Sequence, residues 1–105
     1  NRNYPLPPGT NVTAWMATLE QALASIEAAN CEMMIVSLGV DIFEGDPISA
    51  FTFTSADFTL LGERLAQAGL PSVFLMEGGY AVDAIGVNVV NVLQGFEQHL
   101  LKDKG

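Results

Sequence analysis

Met33-Met34-Ile35-Val36-Ser37-Leu38 is a short, nearly unbroken apolar run that ends on Gly39. A strand buried on both faces of a parallel sheet has this composition. Ser72-Val73-Phe74-Leu75-Met76 has the same character further along. Between the two runs, Thr54 with Asp57 three residues on resembles a capping box and opens a helix that turns Phe58, Leu61 and Leu65 inward. Gly69 and Pro71 stop that helix in the usual order. Strand, helix, strand with this spacing is a βαβ unit, so the strands are expected to be parallel with a right-handed crossover.

A further helix flanks the unit on each side. Asn1 to Thr10 holds three of the five prolines, with Pro7-Pro8-Gly9, and reads as an extended lead-in. Thr10 or Asn11 can then cap a helix. Val12, Trp15, Met16, Leu19, Leu23 and Ile26 share one face of it, and Glu20, Gln21 and Glu27 turn to water. Phe51 to Thr54 is expected to be briefly extended. From about Val82 to Leu101 the periodicity predicts a third helix, apolar nearly all round (Ile85, Val87, Val89, Val90, Val92, Leu93, Phe96), with a narrow polar strip of Asn88, Asn91 and Gln98. The order α-β-α-β-α makes an α/β fold. Two strands alone make a poor sheet, so the apolar strands call for neighbours from further chain or another subunit.

Composition sets outer limits on function. A chain of 105 residues forms about one small domain and buries only ~65% of its unfolded surface. Half the residues are hydrophobic and 15% are charged, which excludes a disordered tail. Four basic against twelve acidic residues give a net charge of −8, which repels nucleic acid and anionic membranes and favours cationic ligands. No apolar stretch reaches the ~18 residues of a membrane span, and no signal sequence opens the chain. The one cysteine, Cys31, is expected to be a buried thiol in a reducing, cytoplasmic setting. The methionines and Trp15 read as core residues. So much apolar surface on so short a chain is expected of a segment cut from something larger.

In open parallel sheets the ligand site lies beyond the carboxyl ends of the strands. Here those ends carry Gly39-Val40-Asp41-Ile42-Phe43-Glu44-Gly45-Asp46-Pro47 and Glu77-Gly78-Gly79-Tyr80. If the strands are neighbours, Asp41 and Tyr80 enter one crevice. A carboxylate there can ligate a cation, and a tyrosine hydroxyl can hydrogen-bond a developing oxyanion. Glycines before the tyrosine permit close approach. The residues alone equally allow Asp41 and Asp46 to cap turns and Tyr80 to be an ordinary helix-start residue. Asp41, Glu44 and Asp46 do not have calcium-loop spacing, and the glycines fall short of G-x-G-x-x-G. The lone His99 lies about 19 residues past Tyr80 along the predicted helix, ~28 Å away at ~1.5 Å per residue, outside any shared site.

Ser37-Leu38-Gly39-Val40-Asp41, Gly45-Asp46-Pro47 and Glu77-Gly78-Gly79-Tyr80 resemble, in order and spacing, the last two motifs of the zinc-dependent deacetylase family. Asn3-Tyr4-Pro5-Leu6-Pro7 and Gly86-Val87-Asn88-Val89-Val90-Asn91-Val92-Leu93 look like its acetylpolyamine amidohydrolase branch. Many relatives have a third glycine where Glu77 stands. The resemblance implies a three-layer, arginase/deacetylase-like parallel sheet, of which residues 1–105 form a carboxyl-terminal portion with no internal boundary. It implies that Asp41 is a zinc ligand and that Tyr80 polarises the acetyl carbonyl and stabilises the oxyanion. It also implies that Gly78 and Gly79 shape the floor of the acyl pocket, with Pro47 and Ile48 near its wall. The family's other ligands, an Asp and a His, and its paired histidines come from upstream segments. The chain is therefore expected to be inactive and to bind no zinc tightly by itself. Its expected partners are the remainder of a parent chain or further copies in a homo-oligomer, with a small cationic acetylated amine as the parent's substrate. The alternative is a truncated, non-catalytic α/β module that oligomerises or binds a partner.

Overall fold

The computed structural model describes residues 1–104, with side chains through Lys102. The element order is α1 (Val12–Ala28), β1 (Met34–Leu38), α2 (Ser55–Ala66), β2 (Ser72–Met76) and α3 (Ile85–Lys104), the α-β-α-β-α order expected. Asn11 caps α1, its Oδ1 accepting the Ala14 N–H at 2.9 Å. The Thr54–Asp57 capping box at the start of α2 is present in both directions. β1 and β2 pair in parallel, from Met34 opposite Ser72 to Leu38 opposite Met76.

One buried cluster joins the layers: Leu23 of α1, Met34 and Leu38 of β1, Phe58, Leu61 and Leu65 of α2, Val92 of α3, and Val40 and Phe53 from the connection between β1 and α2. Phe53 stands at its centre, 4.9 Å from the Trp15 ring in an edge-on contact and 5.3 Å from Phe58. Phe74 of β2 meets Phe96 of α3 edge-on at 5.3 Å. Helices α2 and α3 come backbone to backbone at two glycines. A Cβ on Gly62 would strike the Val92 carbonyl, and one on Gly95 the Thr59 carbonyl.

Several sequence expectations need correction. β1 is not buried on both faces: Met34 and Leu38 are covered, while Ile35 is 64% exposed and Val73 and Leu75 beside it on β2 are also exposed. Alternate strand residues point to opposite faces, and only the face toward the helices is covered by this chain. Met33 is exposed for the same reason, and Met76 is exposed at the end of β2 although it pairs with the covered Leu38; neither is a core residue. Cys31 is exposed, because it lies in the turn after α1 and not within the strand. The expected polar strip of α3 is turned partly inward, a placement the sequence left open. Asn88 is 1% exposed and the Asn91 Nδ2 donates to the Ser55 carbonyl at 2.8 Å, while Val87, Val90 and Leu93 lie outside. The close glycine crossing draws the Asn88-Val92-Gly95 side of α3 inward. The helix itself begins at Ile85 and not at Val82, after a turn in which the Ala84 and Ile85 N–H groups both donate to the Ala81 carbonyl.

Candidate functional site

The loops after β1 and β2 are stitched together beyond the strands. The Glu77 N–H donates to the Leu38 carbonyl at 2.9 Å, and the Val40 N–H donates to the Gly78 carbonyl at 2.7 Å. The first loop is also held from its far side. The Phe53 N–H donates to the Ile42 carbonyl at 3.1 Å and the Glu44 N–H to the Phe53 carbonyl at 2.7 Å, forming a parallel bridge between Phe43 and Phe53. This is the brief extended piece expected near Phe51–Thr54. The stretches Gly39–Pro47 and Glu77–Tyr80 therefore form one rim at the carboxyl end of the sheet.

Asp41 lies half-buried on that rim with its carboxylate against glycine backbone. A Cβ on Gly39 would come 2.9 Å from Asp41 Oδ1, and one on Gly78 would overlap the carboxylate itself. Gly79 has φ +155°, and a Cβ there would stand 2.8 Å from Val40 Cγ2, so both conformation and space require glycine. Gly78 and Gly79 are thus the surface on which the first loop rests. Tyr80 follows with its side chain 53% exposed, and Pro47 and Ile48 are exposed on the first loop.

Asp46 has a larger part than a turn cap. Only 6% exposed, it accepts the Ile48 N–H on Oδ1 at 3.0 Å. On Oδ2 it accepts the N–H groups of Tyr80 at 2.7 Å and Ala81 at 3.2 Å. Burial pushes its pKa up, but the hydrogen bonds from Ile48, Tyr80 and Ala81 outweigh this and hold it below the ordinary carboxyl value. Asp before Pro-Ile signals the local turn in sequence. The bond across 34 residues to Tyr80 has no local signal.

The rim carries the half-buried Asp41 carboxylate on one loop and Tyr80 on the other; a carboxylate can hold one side of a cation and a tyrosine hydroxyl can hydrogen-bond an oxygen. It does not complete a zinc site. Among the described residues no group of three or more His, Cys, Asp or Glu side chains could hold a metal ion. The oxygens of Asp46 are occupied by backbone donors. His99 lies in α3 some 14 residues past Ile85, about 21 Å along the axis. No helix among the described residues is long and apolar enough to cross a membrane.

The histone deacetylase domain family matches residues 1–96. Acetylpolyamine amidohydrolase 1 of Pseudomonas aeruginosa is 50% identical over 97 residues, which are 92% of this chain and 28% of that protein. The acetylpolyamine amidohydrolase of Mycoplana ramosa is 48% identical over 93 residues, 89% of this chain and 27% of its own length. The crystal structure of an acetylpolyamine aminohydrolase from Burkholderia pseudomallei superposes with a TM-score of 0.88 at 29% identity, over 92% of this chain and 28% of the other. The chain thus spans little more than a quarter of the relatives it matches.

Proposed function

Since this chain belongs to the histone deacetylase family, we propose that it is the carboxyl-terminal part of a zinc-dependent amidohydrolase that removes acetyl groups from acetylated amines. The observation that carries the proposal is the joined rim: Asp41 and Tyr80 end neighbouring parallel strands whose loops are hydrogen-bonded to one another. Names among the relatives favour an acetylpolyamine over acetyl-lysine as substrate, and the net charge of −8 suits a cationic amine.

In this reading Asp41 gives one zinc ligand and the rest of the parent chain supplies the others and the proton-handling histidines. Bound zinc would act as a Lewis acid on the acetyl carbonyl and lower the pKa of an attacking water. Tyr80 donates its hydroxyl proton as a hydrogen bond to the carbonyl oxygen as that oxygen gains negative charge. Gly78 and Gly79, packed against Asp41 and Val40, shape the floor of the acyl pocket, and Pro47 and Ile48 line the approach. The chain by itself is inactive, because it holds one ligand and no histidine near the rim.

The test uses the full-length protein that contains this chain. It should release acetate from an acetylated diamine and retain zinc on purification. Tyr80→Phe should keep the zinc and lose about 10²–10³-fold in kcat, as expected for one oxyanion donor. Asp41→Ala should lose the zinc. A zinc-loaded full-length protein that turns over neither an acetylated diamine nor an acetyl-lysine peptide would sink the proposal.

The exposed Ile35, Val73 and Leu75 favour a second reading, a non-catalytic α/β module that covers this face with another copy of itself or a partner. A discrete, metal-free oligomer formed by this chain as a complete gene product would support it. A reading frame that continues upstream into the missing ligands would exclude it.

A further inference from the structure

We propose that Asp46 is a positioning residue for Tyr80, tying the tyrosine's backbone to the metal-ligand loop so that its hydroxyl meets the substrate carbonyl. The proposal rests on the deacetylase reading above and extends it to a residue outside the chemistry.

The backbone on either side of Tyr80 is anchored at the Gly78 carbonyl, which accepts from Val40, and at the Ala81 carbonyl, which accepts from Ala84 and Ile85, but the N–H of Tyr80 itself is held by Asp46. The Tyr80 side chain is 53% exposed, so packing restrains it weakly. Its orientation therefore depends on where its backbone is pinned. The pin is one carboxylate oxygen of Asp46, which accepts the N–H groups of both Tyr80 and Ala81. The other oxygen is fixed by Ile48, so Asp46 is held in place by its own loop while it holds the other. Charge strengthens these bonds relative to neutral ones, and the site is shielded, with Asp46 6% exposed. Tyr80 is thereby kept in the loop, on the rim that Asp41 shares.

Two variants of the full-length protein separate the tether from the turn. Asp46→Ser keeps a hydroxyl that can serve the Ile48 turn but is too short to reach Tyr80. Asp46→Asn keeps an acceptor for Tyr80 and Ala81 but turns an amide NH₂ toward the Ile48 N–H. The tether predicts that kcat for an acetylated diamine falls about tenfold to a hundredfold in Asp46→Ser, the scale of a ~1 Å misplacement, and falls less in Asp46→Asn. KM and zinc content should stay near wild type. In a Tyr80→Phe background the Asp46→Ser loss should vanish, because the tether acts only through the hydroxyl. Hydrogen exchange in the peptide spanning residues 77–84 should accelerate in Asp46→Ser at the Tyr80 and Ala81 amides.

Wild-type kcat in Asp46→Ser, an equal loss in the Tyr80→Phe background, or unchanged exchange at residues 80 and 81 would each overturn the proposal. A wild-type protein with zinc but no turnover would defeat the deacetylase reading instead, and the exchange measurement would still decide whether the tether exists.

Discussion

The backbone of Gly78 runs against the carboxylate of Asp41 so closely that a Cβ at position 78 would overlap Oδ2 and Cγ. The neighbouring Val40 N–H to Gly78 carbonyl bond, 2.7 Å, leaves the glycine little room to retreat. The side chain must move instead. Gly78→Ala in the full-length protein is expected to swing Asp41 from its position, lowering both zinc content and deacetylation, with the fold kept. Metal analysis alongside far-UV circular dichroism checks this. Full zinc content in Gly78→Ala would show that Asp41 is not a ligand, or that it accommodates the methyl.

The α2–α3 crossing allows a prediction with an internal control. Gly62→Ala and Gly95→Ala each push a methyl into a backbone carbonyl of the facing helix, which cannot rotate away as a side chain could. Overpacking of this kind costs ~1–3 kcal/mol or more, whereas the gain in helix propensity is at most ~1 kcal/mol. Both variants should lower the urea midpoint. Gly86, near the exposed start of α3, has nothing within 4 Å of an added Cβ. Gly86→Ala should leave the midpoint unchanged or raise it, and a fall in Gly86→Ala alone would contradict the packing argument.

The success of the sequence reading followed the range of the interactions involved. The two strands, the Thr54–Asp57 box and the inward Phe58-Leu61-Leu65 face are set by neighbours a few residues apart, and they appear where the pattern places them. The placement of Asp41 and Tyr80 on one rim follows from parallel strand pairing, and it too was legible. Asp46 was not, because its decisive partner is 34 residues away and a buried Asp looks locally like any Asx turn. Which side of α3 turns inward was not legible for a related reason. Periodicity finds the apolar face of a helix, but the glycines at positions 62 and 95 select which face approaches α2, bringing Asn88 inside with an Oδ1 that has no hydrogen-bond partner. Cys31 and Met33 adjoin an apolar run without sharing its burial.

The uncovered sheet face predicts how the chain behaves alone. Ile35, Val73 and Leu75 present adjacent apolar side chains on one face of a sheet that, among the described residues, has two strands with unpaired outer edges. At micromolar concentration the isolated 105-residue chain should associate, with an apparent mass by light scattering above that of the 11.2 kDa monomer. Val73→Lys with Leu75→Lys should lower that mass without altering the helical signal. A monomeric wild-type chain would mean that these side chains rearrange to cover themselves.

Acid should expose the contribution of Asp46. Its folded-state pKa lies below the ordinary carboxyl value of 3.8, since the N–H groups of Ile48, Tyr80 and Ala81 outweigh the opposing effect of burial. For a depressed carboxylate the unfolded chain binds the proton first as pH falls. The stabilisation by Asp46 is therefore fully present above the unfolded value and drains away between about 3.8 and the lower folded value. Asp46→Asn has no proton to bind at this position and lacks this dependence. The difference in urea midpoint between wild type and Asp46→Asn should hold constant from neutral pH down to about 5 and shrink below 3.8. A difference that stays constant down to pH 2 would mean that the hydrogen bonds to Ile48, Tyr80 and Ala81 do not depend on the charge of Asp46. In that case the joined rim would owe its stability to the backbone bonds at Leu38 and Val40 instead.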